Sequence, residues 1–186
     1  MEADWSVEVG DDLPTIDVPW EGFIDLRYDP SLVSNLDEAA SSATLAQVLV
    51  MLNERGSPVF TSKCDLWLLA EDEIDPLEFD AAGEGAMVGV ACYVDIVARR
   101  ESLIMSFPAH ETWVRRATEE MRRIKMRRSR VDLVVRPATV DESDGYALTL
   151  YVASCGATGN DAYGIFQMAL KSAATITMNL TATAGE

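Results

Sequence analysis

The 186-residue chain is long enough for one ordinary globular domain, and 48% hydrophobic with 25% charged residues is an ordinary globular composition. Its net charge of −16 argues against binding to nucleic acid or to an anionic membrane, because both are negatively charged, and favours a basic or zwitterionic partner. Three cysteines without C-x-x-C spacing indicate neither a disulfide framework nor a zinc knuckle, and they fit a reducing cytoplasm.

The negative charge is concentrated in the first half of the chain. Residues 1–84 hold 20 acidic and 3 basic residues, whereas residues 85–186 hold 11 acidic and 12 basic residues. Most of these bases lie between Arg99 and Arg136. We expect them to pair with acids of the first half, either in the same chain or in a second subunit.

Residues 1–22 predict an acidic extended arm, because they hold seven acids, no base and two prolines. The arm either lies on its own domain or stays mobile. The alternative is a segment that docks on a partner through Trp5 and Trp20. We find neither a secretory signal nor an apolar run of membrane-spanning length, so we expect a cytoplasmic protein without membrane contact.

The next part of the chain predicts a short strand and then a helix. Residues 23–27 favour a strand closed by an Asp-Pro turn. A helix is predicted to begin near Ser34 or Asn35 and to end at Gly56. Its stretch 45–52 is apolar nearly all round, which places the helix centrally in the fold or against a second subunit.

Residues 59–70 and 86–99 predict two long strands joined by an acidic loop. The second strand alternates, with Val90, Cys92, Val94 and Ile96 on one face and Tyr93 and Asp95 on the other. This period of two is typical of a half-buried antiparallel strand. Residues 103–107 are interpreted as a third strand.

The rest of the chain predicts a helix, a hairpin and a last helix. Residues 108–128 carry an apolar stripe at helical spacing, formed by Trp113, Val114, Ala117, Met121 and Ile124. The hairpin comprises residues 130–136 and 146–153, with Val131, Leu133, Val135, Leu148, Leu150 and Val152 facing inward. The last helix spans 161–178, and 179–186 form a flexible tail.

Together these elements predict one α+β domain over residues 23–178, in the order β-α-β-β-(β)-α-β-β-α. A mainly antiparallel sheet of about five strands packs with three helices. The element order resembles that of small acidic secretion chaperones and of the related sensory-regulator domain. The resemblance lies in topology alone, and no motif is shared.

The loop 154–161 has the composition of a ligand cradle between a strand and a helix. Its backbone N–H groups at Gly156, Thr158, Gly159 and Asn160 are candidates for holding an anion at the helix N-terminus. The alternative is a glycine-rich turn with Thr158 or Asn160 as the helix cap, in which Asp161 opposes an anion. The loop also lacks the third glycine and the following strand of a dinucleotide-binding unit, so we expect no cofactor.

Cys155 and His110 are the only combination that suits nucleophilic catalysis. A helix N-terminus lowers the pKa of a thiol, and His110, the one histidine of the chain, is the only available imidazole base. The alternative is a structural histidine at the start of a helix. We also expect no metal site, because a single histidine excludes a histidine triad and the acids 71–84 lack EF-hand spacing.

The helix 108–128 bears an arginine-rich surface that includes Arg115, Arg116, Arg122 and Arg123. Its aromatic residue Trp113 belongs to the apolar stripe, which argues against base stacking and hence against nucleic acid. We therefore expect a non-enzymatic, acidic, adaptor-like or chaperone-like domain that binds another protein and forms a homodimer. Candidate protein-binding residues are Trp5, Trp20 and these four arginines. The alternative is a small enzyme or ligand-binding domain that uses the loop 154–161.

Overall fold

A six-stranded sheet with its three longer helices on one face organises the computed structural model, which describes residues 1–10, 12–85 and 87–181. The strands are β1 (Glu2–Val7), β2 (Ile16–Val18), β3 (Val59–Leu69), β4 (Val88–Ala98), β5 (Ser129–Val140) and β6 (Ser143–Gly156). The helices are α1 (Asp37–Ser41), α2 (Ala43–Asn53), α3 (Glu101–Ile104), α4 (Phe107–Arg122) and α5 (Gly159–Thr181). Two short 3₁₀ helices span Pro30–Asn35 and Glu71–Glu73.

The strand order is β1-β5-β6-β4-β3, and β2 pairs with β5 beyond the end of β1. β1 and β2 run parallel to β5, and the other neighbouring strands are antiparallel. The predicted α+β fold with a mainly antiparallel sheet is therefore confirmed. The N-terminal residues supply two of the six strands, because β5 offers them a free edge.

The β5–β6 hairpin is longer and tighter than the sequence pattern predicts. Only Asp141 and Glu142 connect the strands, and both have positive φ, 46° and 71°. Two consecutive residues in this region are typical of a type I′ turn, whose twist matches that of the strands. The residues predicted to face inward on both strands are fully buried.

Helix α5 packs against both α2 and α4, and together they cover one face of the sheet. The predicted apolar stripe is confirmed within α4, since Trp113, Val114 and Met121 are fully buried and the Trp113 indole donates to the Thr177 carbonyl over 2.8 Å. The helix ends at Arg122 instead of residue 128, so the last residue of the predicted stripe, Ile124, lies beyond it and is half-buried. The helix predicted over residues 34–56 is instead interrupted at Ser42, whose hydroxyl accepts from the Leu45 N–H and begins α2.

Two of the predicted strands are wrong. Residues 23–25 are irregular and residues 26–27 lie in a turn, where the Asp25 carboxylate accepts from both the backbone N–H and the guanidinium of Arg27. Residues 103 and 104 end α3, residues 105 and 106 connect the two helices, and Phe107 begins α4. There Ser106 accepts from the Ala109 N–H as a helix cap, and a proline at the helix start favours helical over extended backbone.

The segment predicted as an arm lies against β5 as β1 and β2. The N-terminal ammonium donates to the Ile124 carbonyl over 2.5 Å. At the other end, residues 179–181 continue α5, and the predicted tail beyond them lies outside the described residues, as does position 86 at the predicted start of β4.

Arginines of the second half of the chain form ion pairs with acids of the first half. The pairs are Arg122–Asp4, Arg127–Asp80, Arg128–Glu84, Arg130–Glu78 and Arg136–Glu8. The two halves of the charge pattern therefore meet within one chain.

Candidate binding face of the sheet

The open face is the side of the sheet that α2, α4 and α5 do not cover. Strand register gives it Asp65 and Trp67 of β3; Ala91, Tyr93 and Asp95 of β4; Thr149, Tyr151 and Ala153 of β6; and Arg130, Asp132, Val134 and Arg136 of β5. A hydrophobic cluster with Phe60 and Leu103 covers one end of this face, and a cluster with Phe79 and Cys155 covers the other. The strip between these two clusters remains partly exposed.

An aromatic row crosses the open face over three neighbouring strands. The ring centroids of Trp67 and Tyr93 lie 6.4 Å apart, and those of Tyr93 and Tyr151 lie 5.9 Å apart. All three side chains are half-buried. Register places Asp65 beside Tyr93 and Asp132 beside Tyr151. Ring surface and carboxylates therefore lie side by side, an arrangement that suits a cationic ligand.

Asp95 is a buried carboxylate in the middle of the open face, with 5% of its surface exposed. The Thr149 hydroxyl donates to Asp95 Oδ1 over 2.6 Å and accepts from Arg136 Nη1 over 3.4 Å. Arg136 Nη2 in turn donates to Glu8 Oε2 over 2.6 Å. Arg136 is thus paired with Glu8, and Asp95 has no ion-pair partner within the described residues.

Burial raises the pKa of Asp95 to about 6, and the hydrogen bond from Thr149 and the charge of Arg136 oppose this rise only in part. Burial also raises the pKa of Tyr93 to about 12, and the neighbouring carboxylates of Asp95 and Asp65 add to the effect. A buried carboxylate with a perturbed pKa, placed on a partly exposed surface, marks a candidate functional site.

On each edge strand of the sheet, one backbone N–H group donates a hydrogen bond to the carboxylate of the residue before it. On β3, the Asp65 carboxylate accepts from the Leu66 N–H over 2.7 Å. On β1, the Asp4 carboxylate accepts from the Trp5 N–H over 2.8 Å. Charged side chains at sheet edges protect them from the addition of another strand. These two carboxylates therefore argue against the addition of a further strand at these positions.

Three of the residues predicted to bind a protein lie together at β1. The Arg115 guanidinium is 5.7 Å from the centre of the Trp5 ring, and Arg122 Nε donates to the Ala3 carbonyl over 2.7 Å. These arginines hold α4 against the edge strand, which is a structural role.

The other three predicted protein-binding residues lie elsewhere. Arg116 is exposed on α4, and Arg123 is exposed directly after the end of this helix, where it pairs with Glu120. Trp20 lies near β3, where the Lys63 ammonium is 5.2 Å from its ring centre. Since β1 and β3 are opposite edges of the sheet, the six residues do not form one surface.

The structure does not bring Cys155 and His110 together. The Cys155 thiol is fully buried, 3.5 Å from the Met87 sulfur, and burial raises its pKa instead of lowering it as the helix terminus predicts. His110 Nδ1 contacts the Ser106 carbonyl, and Nε2 has no hydrogen-bond partner among the described residues. Burial lowers the pKa of His110, so the imidazole is neutral.

The segment predicted as the loop 154–161 is mostly strand and helix, because β6 continues to Gly156 and α5 begins at Gly159, and its own chain fills it. A Cβ atom on Gly156 would lie 2.6 Å from the Ala162 nitrogen, so the backbone passes too closely to admit a ligand there. The Thr158 hydroxyl accepts from the Asp161 N–H over 3.2 Å and donates to the Asp161 carboxylate over 2.7 Å. This carboxylate occupies the positive end of α5, while Gly159 and Asn160 are exposed beside it.

The open face contains residues that the sequence analysis did not single out. The sequence pattern could identify only Tyr93 and Asp95 as neighbours on this face, because the alternation along β4 places both on the same side of the strand. Trp67, Tyr151 and Thr149 join them only through strand register, which depends on pairing between distant segments.

Within the described residues, no helix is long and apolar enough to cross a membrane, and no cluster of three histidines, cysteines or carboxylates is arranged to hold a metal ion. No family model matches the chain, and no similar protein is found among curated proteins or solved structures.

Proposed function

We propose that the protein is a non-enzymatic, adaptor-like or chaperone-like module of the cytoplasm that binds another polypeptide on its open face. The observation that carries the proposal is the aromatic row of Trp67, Tyr93 and Tyr151 beside the buried Asp95 carboxylate. Half-buried tyrosine and tryptophan side chains are the residues that most often dominate binding energy in protein interfaces.

The charge of the open face favours a basic partner. Asp65 and Asp95 have no ion-pair partner among the described residues, and the chain as a whole carries −16. The positive residues of this face are already compensated, since Arg130 pairs with Asp132 and Arg136 pairs with Glu8. A basic segment would therefore meet uncompensated carboxylates and gain a faster association at low salt.

A matched pair of charge reversals tests this proposal. Asp65→Lys changes the open face, and Glu54→Lys makes the same change of charge at the exposed end of α2, on the helical side. Immobilised wild-type protein should retain a partner from native lysate, with binding that weakens as salt is raised. Asp65→Lys should lose the partner and Glu54→Lys should keep it. Equal retention by the two variants would contradict a role for the open face.

We further propose that the protein forms a homodimer through the outer surface of α2 and α5. Helix α2 carries no charged residue, α5 carries only Asp161 and Lys171, and Met168 is 54% exposed. Because each copy carries −16, a charge-poor surface is where two copies repel each other least.

Size-exclusion chromatography coupled to light scattering tests this second proposal, because it measures the molar mass of the protein in solution. The expected mass at micromolar concentration is that of a dimer, which Met168→Glu should convert to a monomer. Thr112→Glu, an exposed position on α4, should leave the dimer intact. A wild-type monomer at micromolar concentration would contradict the homodimer and would leave the open-face proposal untouched.

A further inference from the structure

A cavity of about 230 Å³ opens on the open face, between the aromatic row and the acidic segment that follows β3. Its lining includes Trp67, Tyr151, Phe79, Ala91 and Ala153. The cavity is large enough for the end of one long side chain.

Small residues in the strands create this cavity. Register aligns Trp67 with Ala91, Ala91 with Ala153, and Ala153 with Arg130 across the four strands. The two methyl groups therefore form a low floor between an indole and a guanidinium. The next row of the sheet, which contains Tyr151, bounds the floor on one side.

The charge around the cavity is negative. Its lining contains the carboxylates of Glu73, Glu78 and Asp132 and a single base, Arg130. Arg130 is compensated twice, by Glu78 and by Asp132 over 2.7 Å. Glu73 uses one oxygen to accept from the Ala70 N–H over 2.7 Å, and it has no cationic partner among the described residues.

We propose that this cavity binds the cationic end of a lysine or arginine side chain from the partner polypeptide, with the alkyl stem over Ala91 and Ala153 and the charge between the aromatic rings and Glu73. Indole and phenol rings attract cations through their faces, and a carboxylate beside them strengthens the attraction. An anionic side chain would be repelled by a lining of three carboxylates and one base, and an uncharged one would gain no attraction from Glu73. This inference rests on the proposed function and specifies the anchor of the partner.

Capped single amino acids test the cavity without the general attraction of an acidic protein for polycations. The probes are Nα-acetyl-lysine methylamide and Nα-acetyl-arginine methylamide, whose side chains remain cationic, and the uncharged analogue Nα-acetyl-norleucine methylamide. Methyl signals of Ala91 and Ala153 in NMR spectra of the full chain report occupation of the floor. We expect saturable shifts of both signals with the two cationic probes at millimolar concentration, and none with norleucine.

Three variants test which residues of the cavity contribute to binding. Glu73→Gln keeps an oxygen that can accept from the Ala70 N–H but removes the charge, and it should weaken binding of the lysine probe by about threefold to fivefold. Glu71→Gln makes the same change of charge two residues away, outside the cavity lining, and should alter the affinity less than about twofold. Ala153→Leu should fill the cavity and abolish the shift at Ala91.

Several results would overturn the assignment: equal shifts with norleucine, shifts confined to other parts of the chain, or equal loss of affinity in Glu73→Gln and Glu71→Gln. Unchanged binding in Ala153→Leu would do so as well. If the cavity fails these tests while Asp65→Lys still abolishes partner retention, the open face binds its partner without this anchor. If Asp65→Lys and Glu54→Lys retain the partner equally, the proposed function itself fails.

Discussion

At the scale of single residues, the Asp95 carboxylate lowers the stability of the folded chain. Its ordinary pKa of 3.8 is raised to about 6, chiefly by burial, so the folded state binds a proton more tightly than the unfolded state between these values. Stability is therefore lost as pH rises from about 4 to about 6, and the loss is complete above that range. A carboxylate with this effect is better explained by a binding role than by a structural one.

The variant Asp95→Asn should be more stable than the wild type at pH 7.5, by about 1 to 3 kcal/mol, because it removes the buried charge and can still accept the bond from Thr149. At pH 4 the two proteins should have nearly equal stability, since Asp95 is protonated there. Urea unfolding at the two pH values measures the difference. A variant that is less stable at pH 7.5 would show that the ionised carboxylate supports the fold.

Replacement of glycine by alanine should change the stability of the protein in opposite directions at two positions with different surroundings. A Cβ on Gly145 would lie 2.7 Å from the Ile104 carbonyl oxygen, so Gly145→Ala must displace backbone and should cost about 1 to 3 kcal/mol. Gly164, inside α5, has open space around the Cβ position, and Gly164→Ala should stabilise the protein by about 0.5 to 1 kcal/mol. Thermal unfolding distinguishes them, and a neutral Gly145→Ala would contradict the close approach of α3 to β6.

At the scale of elements, local patterns predicted what local interactions decide. Alternating apolar residues predicted both hairpins, and apolar residues at helical spacing predicted the buried stripe of α4. Each of these patterns arises because one face of the element is buried. β1 was not predicted, because its pairing with β5 joins residues more than 120 positions apart and its acidic composition suggests an arm. The strand predicted at residues 103–107 failed because helix capping by Ser106 outweighs the β propensity of a short apolar run.

The β5–β6 turn offers a test of the hairpin geometry. Glu142 has φ of 71°, a conformation that costs a residue with a side chain about 1 kcal/mol. Glu142→Gly should therefore stabilise the protein by about 0.5 to 1 kcal/mol and give an Asp-Gly pair, which favours a type I′ turn. Ser143→Gly, one position later at the start of β6, should destabilise it by a similar amount. Destabilisation by both variants in chemical unfolding would contradict the turn type.

At the scale of the whole molecule, the division of charge has a structural explanation. Five arginines of the second half are paired with acids of the first half in the same chain, so charge compensation does not require a second subunit. On the open face, Asp65 and Asp95 have no ion-pair partner among the described residues, and we propose that a basic partner compensates them. The alternation of β4 predicted Tyr93 and Asp95 of this face, whereas Trp67, Tyr151 and Thr149 come from other strands whose order the sequence pattern did not define.

The most direct test of the central claim is to locate partner contact by site-specific crosslinking in cells. A p-benzoylphenylalanine at position 93 replaces a half-buried tyrosine of the open face, and the same group at position 112 replaces an exposed threonine of α4. We expect position 93 to crosslink to another polypeptide and position 112 to give little product. Crosslinks from position 112 in the absence of crosslinks from position 93 would contradict the assignment of the open face as the binding surface.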